Sequence, residues 1–580
     1  MLRLVVVFLL IPTWAAMFTK EHMGRHPTYP PVVDLGYGLH QAIVNSTGDY
    51  YNFSNIRYAE PPTGRSRFAP PIPPRGRNPI VYNGSVARIC PQAYPAGGRL
   101  NEKYNTYYSL TGKTGLDDFQ NASQGFDYPR SSPQDPRVTE DCLFLDVMVP
   151  RKVFHGHTSG ASKLRTGAAV MVWIHGGGFC AGSKYDTPSA GLIYRSQADD
   201  REGVIYVAIN YRLGAFGWLS GPSFAKHGTP NAGLYDQRLA LEWVRCNIHL
   251  FGGDPQRVTV FGESAGGGSI ILQTTAFGGI KGKAPFQRAI LQSPGWTPMA
   301  GNLEQEHNFR DFLGLLNVST LSEARKLSSS ALEAANEVQV RNSKKGWTYG
   351  PVVDGSFVPA LPSLLMYHRL YDQSIDVMVG HNGDEGFGYP GLKNDTDFDA
   401  FIQTIFPNAP NSELDYITKE MYPPKARSFG ALPEDYDPTS TTSTIVTSYN
   451  NTQGRQSLFV SDTVINCNAH FVNKAYKGET YSYLLAVPPA LHGQDLYYVF
   501  YNGQATDVFY RPINITLAHI IQEYWINFAK FGSPNGQGLP FFPKWGHNMS
   551  VQGLSHDGVE PIRDPIDVFV CDRWELGLYL

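Results

Sequence analysis

The sequence predicts an α/β protein: a large, mostly parallel central sheet with helices packed on both faces. Three observations carry this. Apolar runs at residues 168–174, 204–210 and 258–261 are continuous rather than alternating, as strands buried on both sides should be. Residues 234–250 have helical spacing, with Leu239, Leu241, Trp243, Val244 and Ile248 on one side. Strand, helix and strand then recur in the rhythm that parallel strands require, since each needs a crossover connection.

In chain order, residues 1–16 read as a secretory signal peptide, with one positive charge at Arg3, an apolar run over 4–11 and small residues Ala15 and Ala16 at the cleavage point. The run is too short to span a bilayer, and no later stretch reaches that length. The expectation for 17–580 is therefore a secreted, extracellular protein without stable membrane insertion. Nine Asn-x-Ser/Thr sequons, at Asn45, Asn52, Asn83, Asn121, Asn317, Asn394, Asn450, Asn514 and Asn548, fit a glycoprotein with those asparagines largely on surface loops. His22 and His26 read as part of a solvated terminus rather than a metal pair.

A Pro- and Gly-rich segment follows the leader. Residues 91–141 are turn-rich and hold seven aromatics, Tyr94, Tyr104, Tyr107, Tyr108, Phe119, Phe126 and Tyr128. They form either a surface loop whose rings pack on its own base or a lid or gorge wall over an apolar pocket. Strands are expected at 143–149 and 168–174, the second ending at His175-Gly176-Gly177-Gly178-Phe179. Bare backbone amides at a strand end can point at a developing oxyanion, and glycine permits the close approach. After the strand at 204–210 and the helix at 234–250 comes the strand at 258–261, which leads into Gly262-Glu263-Ser264-Ala265-Gly266 and a further apolar helix. Strand, sharp turn and helix around Gly-x-Ser-x-Gly is the context of a nucleophile elbow, which lifts the serine hydroxyl clear of the sheet at the positive end of a helix dipole. Short strands are expected again at 288–291, 377–379 and 481–486, and the polar stretch from 431 to 456 reads as a surface excursion. There is no internal repeat.

Composition agrees. With 42 % hydrophobic and 17 % charged residues the chain can bury a large core. A net charge of −3 without a basic run argues against nucleic acid or an anionic membrane as partner. Length alone would suggest several domains, but the chemistry-bearing segments are spread along the chain, so one large unit over 17–580 is expected. Six cysteines are too few for a disulfide scaffold, and no Cys-x-x-Cys pair suggests zinc.

A serine hydroxyl near neutral pH is a poor nucleophile, so Ser264 needs a base, and the base needs an orienting acid. Carboxylates Asp384 and Glu385 follow one expected strand; His492 follows another, and His381 is a second candidate base. Spacing leaves both choices open.

In order along the chain stand Tyr58-Ala-Glu-Pro-Pro, Glu140-Asp-Cys-Leu143, the glycine segment at 175–179, Asn210-Tyr-Arg-Leu-Gly-Ala-Phe-Gly217, Asp236-Gln-Arg238, Phe251-Gly-Gly-Asp-Pro255, the elbow, Asp384-Glu-Gly386, His492-Gly493 and Phe528-Ala-Lys-Phe-Gly-Ser-Pro-Asn535. Through these blocks the sequence resembles the type-B carboxylesterase/lipase family, the cholinesterase-like α/β-hydrolases, over nearly the whole mature chain, and in particular its secreted fungal carboxylesterases. The resemblance implies an α/β-hydrolase fold, a catalytic triad of Ser264, Glu385 and His492, and an oxyanion hole from the N–H groups of Gly177, Gly178 and Ala265. It implies disulfides Cys90–Cys142 and Cys467–Cys571, with Cys180 and Cys246 left free, and ion pairs Arg67–Glu140 and Arg212–Asp236. No metal or organic cofactor enters the implied mechanism, and the expected partner is a small-molecule or lipid ester. Two departures stand out: no tryptophan lies between Cys90 and Cys142 to hold a quaternary ammonium, and the family's middle disulfide is missing. The expectation is a secreted serine carboxylesterase. A triacylglycerol lipase or sterol esterase with 91–141 as lid, and a non-catalytic adhesion or binding protein, are the alternatives.

Overall fold

The computed structural model describes residues 30–95, 135–158, 167–296, 299, 301–345, 347–386, 394–424, 445–449, 451–506 and 512–579. The expected leader at 1–16, His22, His26, Asn121, Asn450, residues 96–134 of the aromatic-rich loop and most of the polar stretch 431–456 lie outside the described residues.

Strands in chain order are β1 (Val32–Asp34), β2 (Gly38–Gln41), β3 (Ile43–Asn45), β4 (Tyr50–Arg57), β5 (Asn78–Tyr82), β6 (Phe144–Pro150), β7 (Ala168–Ile174), β8 (Ile205–Ile209), β9 (Gly253–Glu263), β10 (Arg288–Gln292), β11 (Asp376–Asn382), β12 (Tyr481–Leu485), β13 (Ser550–Leu554) and β14 (Val559–Arg563). An 11-stranded sheet runs in the order β14-β13-β12-β11-β10-β9-β7-β8-β6-β4-β3, and β1, β2 and β5 form a separate small sheet. From β8 through β7, β9, β10, β11 and β12 to β13 every pairing is parallel. The flanking pairs β3–β4, β4–β6, β6–β8 and β13–β14 are antiparallel. This is the mostly parallel sheet of an α/β-hydrolase fold.

The continuous apolar runs behave as expected of strands covered on both faces. All of β7 is buried. Its alternate residues Val170, Val172 and Ile174 join a core with Val258, Val260, Leu241 and Val244. Ala169, Met171 and Trp173 face the other way, packing with Phe261, Ile290, Ile521 and Trp525. The helices Ala232–Asn247 and Ala265–Thr274 cover the first face, and Ala190–Ser196 and Ile515–Phe531 the second.

β9 is longer than the expected 258–261 because parallel neighbours on both sides supply backbone partners, from Ala168 opposite Gly253 to Gln292 opposite Glu263. A register shift between Ala168 and Val170 accommodates the detour at 254–257, where Pro255 has no N–H to donate.

Cys90–Cys142 and Cys467–Cys571 are bonded, while Cys180 is a buried and Cys246 an exposed free thiol. Both ion pairs that the resemblance implies are present and bidentate. Arg67 donates to Glu140 at 2.8 and 2.6 Å, and Arg212 to Asp236 at 2.7 and 2.6 Å. These charges are buried, so removing one partner would strand the other in a medium that solvates it poorly. Among the described residues, no helix is long and apolar enough to cross a membrane.

Candidate active site

β9 ends at Glu263 and the helix Ala265–Thr274 begins two residues later, leaving Ser264 alone in the turn at φ 57°, ψ −124°. That backbone is unfavourable for a residue with a side chain and is held by its surroundings. The Ser264 N–H donates to the Gln292 carbonyl at 3.0 Å, and the Ser264 carbonyl accepts from Gly268 and Gly295, both at 2.9 Å. The glycine two residues on is required by close approach: a Cβ on Gly266 would sit 2.0 Å from the Ile174 carbonyl oxygen and 3.0 Å from that of His175. The same approach sets the start of the 175–179 loop against the elbow.

Three side chains from distant parts of the chain meet here. His492 Nε2 lies 2.8 Å from Ser264 Oγ, and His492 Nδ1 lies 2.5 Å from Glu385 Oε2. An ionised carboxylate can only accept, so Nδ1 carries a proton, and when the ring is neutral Nε2 is left to accept from the serine hydroxyl. The other oxygen of Glu385 accepts from Ser293 Oγ at 2.6 Å and from the Asn382 N–H at 2.5 Å. The alternatives that spacing left open sit elsewhere. Asp384 accepts from Ser457 Oγ at 3.0 Å, and His381 Nδ1 pairs with the adjacent Asn382 carbonyl at 2.9 Å.

The electrostatics follow from this packing. Burial alone would push Glu385 up, but the charge and hydrogen bond of His492, with the Asn382 and Ser293 donors, outweigh it and hold the carboxyl below its ordinary value. Burial also works against the imidazolium of His492, yet the carboxylates of Glu263 and Glu385 raise its pKa above that of an ordinary histidine. Glu263 has Oε1 3.3 Å from His492 Nε2. It is itself raised, first by burial and then by Asp495 and Glu385, with His492 opposing.

The glycine loop leaves β7 with Gly177 at φ 102° and Gly178 at φ 59°. At Gly177 a side chain is excluded twice over, by the left-handed backbone and by the Ala181 carbonyl oxygen, 2.2 Å from where a Cβ would stand. Gly177 and Gly178 are exposed, whereas Ala265 is buried at the first turn of the helix after the elbow. Glu263 could have been singled out from its place inside the motif. Ser293 and Asn382 carry no motif; they reach Glu385 because β10 and β11 end side by side.

Residues 32–557 match the carboxylesterase family. The chain is 39 % identical over 580 residues to carboxylesterase patB of Penicillium expansum, covering 98 % of each. To carboxylesterase patB of Aspergillus clavatus it is 40 % identical over 562 residues, covering 95 % of this chain and 96 % of that one. Among solved structures it resembles Aspergillus niger EstA, with a TM-score of 0.74 and 23 % identity over 95 % of this chain and 99 % of that one; at that identity the likeness speaks to fold alone. The extent of these matches, on a mostly parallel sheet carrying a strained serine at the elbow, has one reading: the chain belongs to the carboxylesterase family and is a carboxylic-ester hydrolase.

Proposed function

We propose that this chain is a secreted serine carboxylesterase that cleaves esters in two steps through Ser264, His492 and Glu385. The observation that carries the reading is the unbroken relay from Ser264 Oγ through the imidazole to Glu385, at 2.8 and 2.5 Å. His492 takes the hydroxyl proton as Ser264 attacks the ester carbonyl, and Glu385 holds the ring and stabilises its cation. The oxyanion rests on the N–H groups of Gly177, Gly178 and Ala265, each donor contributing on the order of 3 kcal/mol. His492 returns its proton to the leaving alcohol, and water then repeats the route on the acyl-enzyme. Secretion is supported by the leader-like residues 1–16, the sequons and the two disulfides, which persist in oxidising compartments.

The test is turnover of p-nitrophenyl esters from acetate to palmitate by the parent and by Ser264→Ala. The variant should fold and lose about 10⁴-fold or more in kcat, and an organophosphate should label the parent at Ser264 and leave the variant unlabelled. A folded variant with near-parent turnover removes the serine from the mechanism.

A further inference from the structure

Two side-chain amides outside the triad hold the segment that presents His492. Leu491 precedes the histidine, and side chains occupy both of its peptide groups. Its N–H donates to Gln494 Oε1 at 3.1 Å, and its carbonyl accepts from Asn382 Nδ2 at 2.9 Å. Gln494 turns its other end back on the same loop, with Nε2 donating to the Val487 carbonyl at 3.1 Å and the Pro488 carbonyl at 3.3 Å. Both amides are buried, Asn382 at 1 % and Gln494 at 5 % exposure.

Asn382 reaches the triad from the other side as well. Its backbone N–H is the donor to Glu385 Oε1, so one residue at the end of β11 is bonded both to the acid and to the neighbour of the base. Between them the two loops share backbone bonds, Gly383 N–H to the Leu485 carbonyl at 2.9 Å and Asp384 N–H to the Ala490 carbonyl at 2.8 Å. The loop needs such bracing. β12 has ended at Leu485, and Ala490 lies at φ 58°, a left-handed backbone that a residue with a side chain keeps only when its surroundings hold it. At Gln494 a primary amide suits the task because it donates and accepts at once, which neither a hydrocarbon nor a carboxylate does, while at Asn382 the amide supplies the donor.

We infer that Asn382 and Gln494 are positioning residues for ester hydrolysis: together they fix the Leu491 peptide, and with it the reach of His492 to Ser264 and Glu385. The inference rests on the serine-esterase reading above. Neither amide needs to touch substrate, so substrate binding is left unchanged. What changes on their loss is the alignment of the imidazole, and a misplacement of about 1 Å can cost on the order of 100-fold in rate.

The experiment compares Asn382→Leu, Gln494→Met and the conservative Gln494→Glu with the parent. Each is titrated with an organophosphate so that kcat is expressed per reactive serine, and melting temperature is followed alongside. Asn382→Leu and Gln494→Met should lose on the order of 10- to 100-fold in kcat with KM within about twofold of the parent. Gln494→Glu still accepts the Leu491 N–H and should regain part of that loss. If Asn382→Leu does not fold, the two Gln494 variants decide. Variants that melt earlier but keep parental kcat per titrated serine overturn the inference and make both amides ordinary supports of the fold. If the parent is not labelled at Ser264, or Ser264→Ala keeps its turnover, the serine-esterase reading itself is what fails.

Discussion

At Glu263 one carboxylate faces the histidine from the serine side while Glu385 faces it from the other, and both raise its pKa. In the proposed mechanism His492 acts as a neutral base, so kcat/KM should fall as pH drops through a pKa above the ordinary histidine value. Glu263→Gln removes one of the two charges, lowers the histidine pKa and moves this acid limb to lower pH. A pH–rate profile that keeps its acid limb in place would show that Glu263 is not felt by the base. The motif put Glu263 beside the serine in the sequence, but its nearness to His492 follows from a loop 229 residues further on, and no spacing rule contains that.

At the scale of elements, the long helical stretch before the C-terminal strands is interrupted by the π-helical turn Asp462–Asn466, between Thr452–Ser461 and Cys467–Ala475. Asp462 is buried there, accepting from Tyr422 Oη at 3.0 Å and Asn466 Nδ2 at 3.3 Å. Burial, opposed by those two donors, pushes its pKa up to about 7 from an ordinary 3.8. A group that protonates more readily folded than unfolded weakens the fold as pH rises between the two values. Asp462→Asn does not titrate and fills the same space, and Asn466 can turn its amide oxygen to meet it. Its stability margin over the parent should therefore widen between about pH 4 and pH 7 and level off above; urea unfolding at pH 5 and pH 8 reads this, and an equal margin at both would refute it. Sequence pattern reached the buried parallel strands but not β1 to β5, β13 or β14. β4 mixes tyrosines with asparagines and β14 is exposed over most of its length, so neither has the continuous apolar run that marked β7.

Across the whole molecule, folding sorts the sequons. Asn83, Asn317, Asn394 and Asn548 are exposed, whereas Asn52 lies within β4 between Ile43 of β3 and Met148 of β6, with its amide oxygen buried. Peptide mapping after enzymatic deglycosylation of protein expressed through a eukaryotic secretory pathway should find sugar on the exposed four and none at Asn52; occupancy at Asn52 would contradict this packing. Residue order alone determined the kind of sheet, the elbow serine and the glycine loop, because each depends on a few neighbouring residues whose backbone or burial demands are local. Spacing left open which carboxylate and which imidazole come to that serine; the resemblance named Glu385 and His492, and only the tertiary structure brings His492 within hydrogen-bond reach of the serine and Glu385 within reach of His492. β11 and β12 lie side by side in the sheet, so the loops at their ends meet over Ser264, and what sets that meeting is the pairing of strands about a hundred residues apart, with the side chain of Asn382 reaching from one loop to the other.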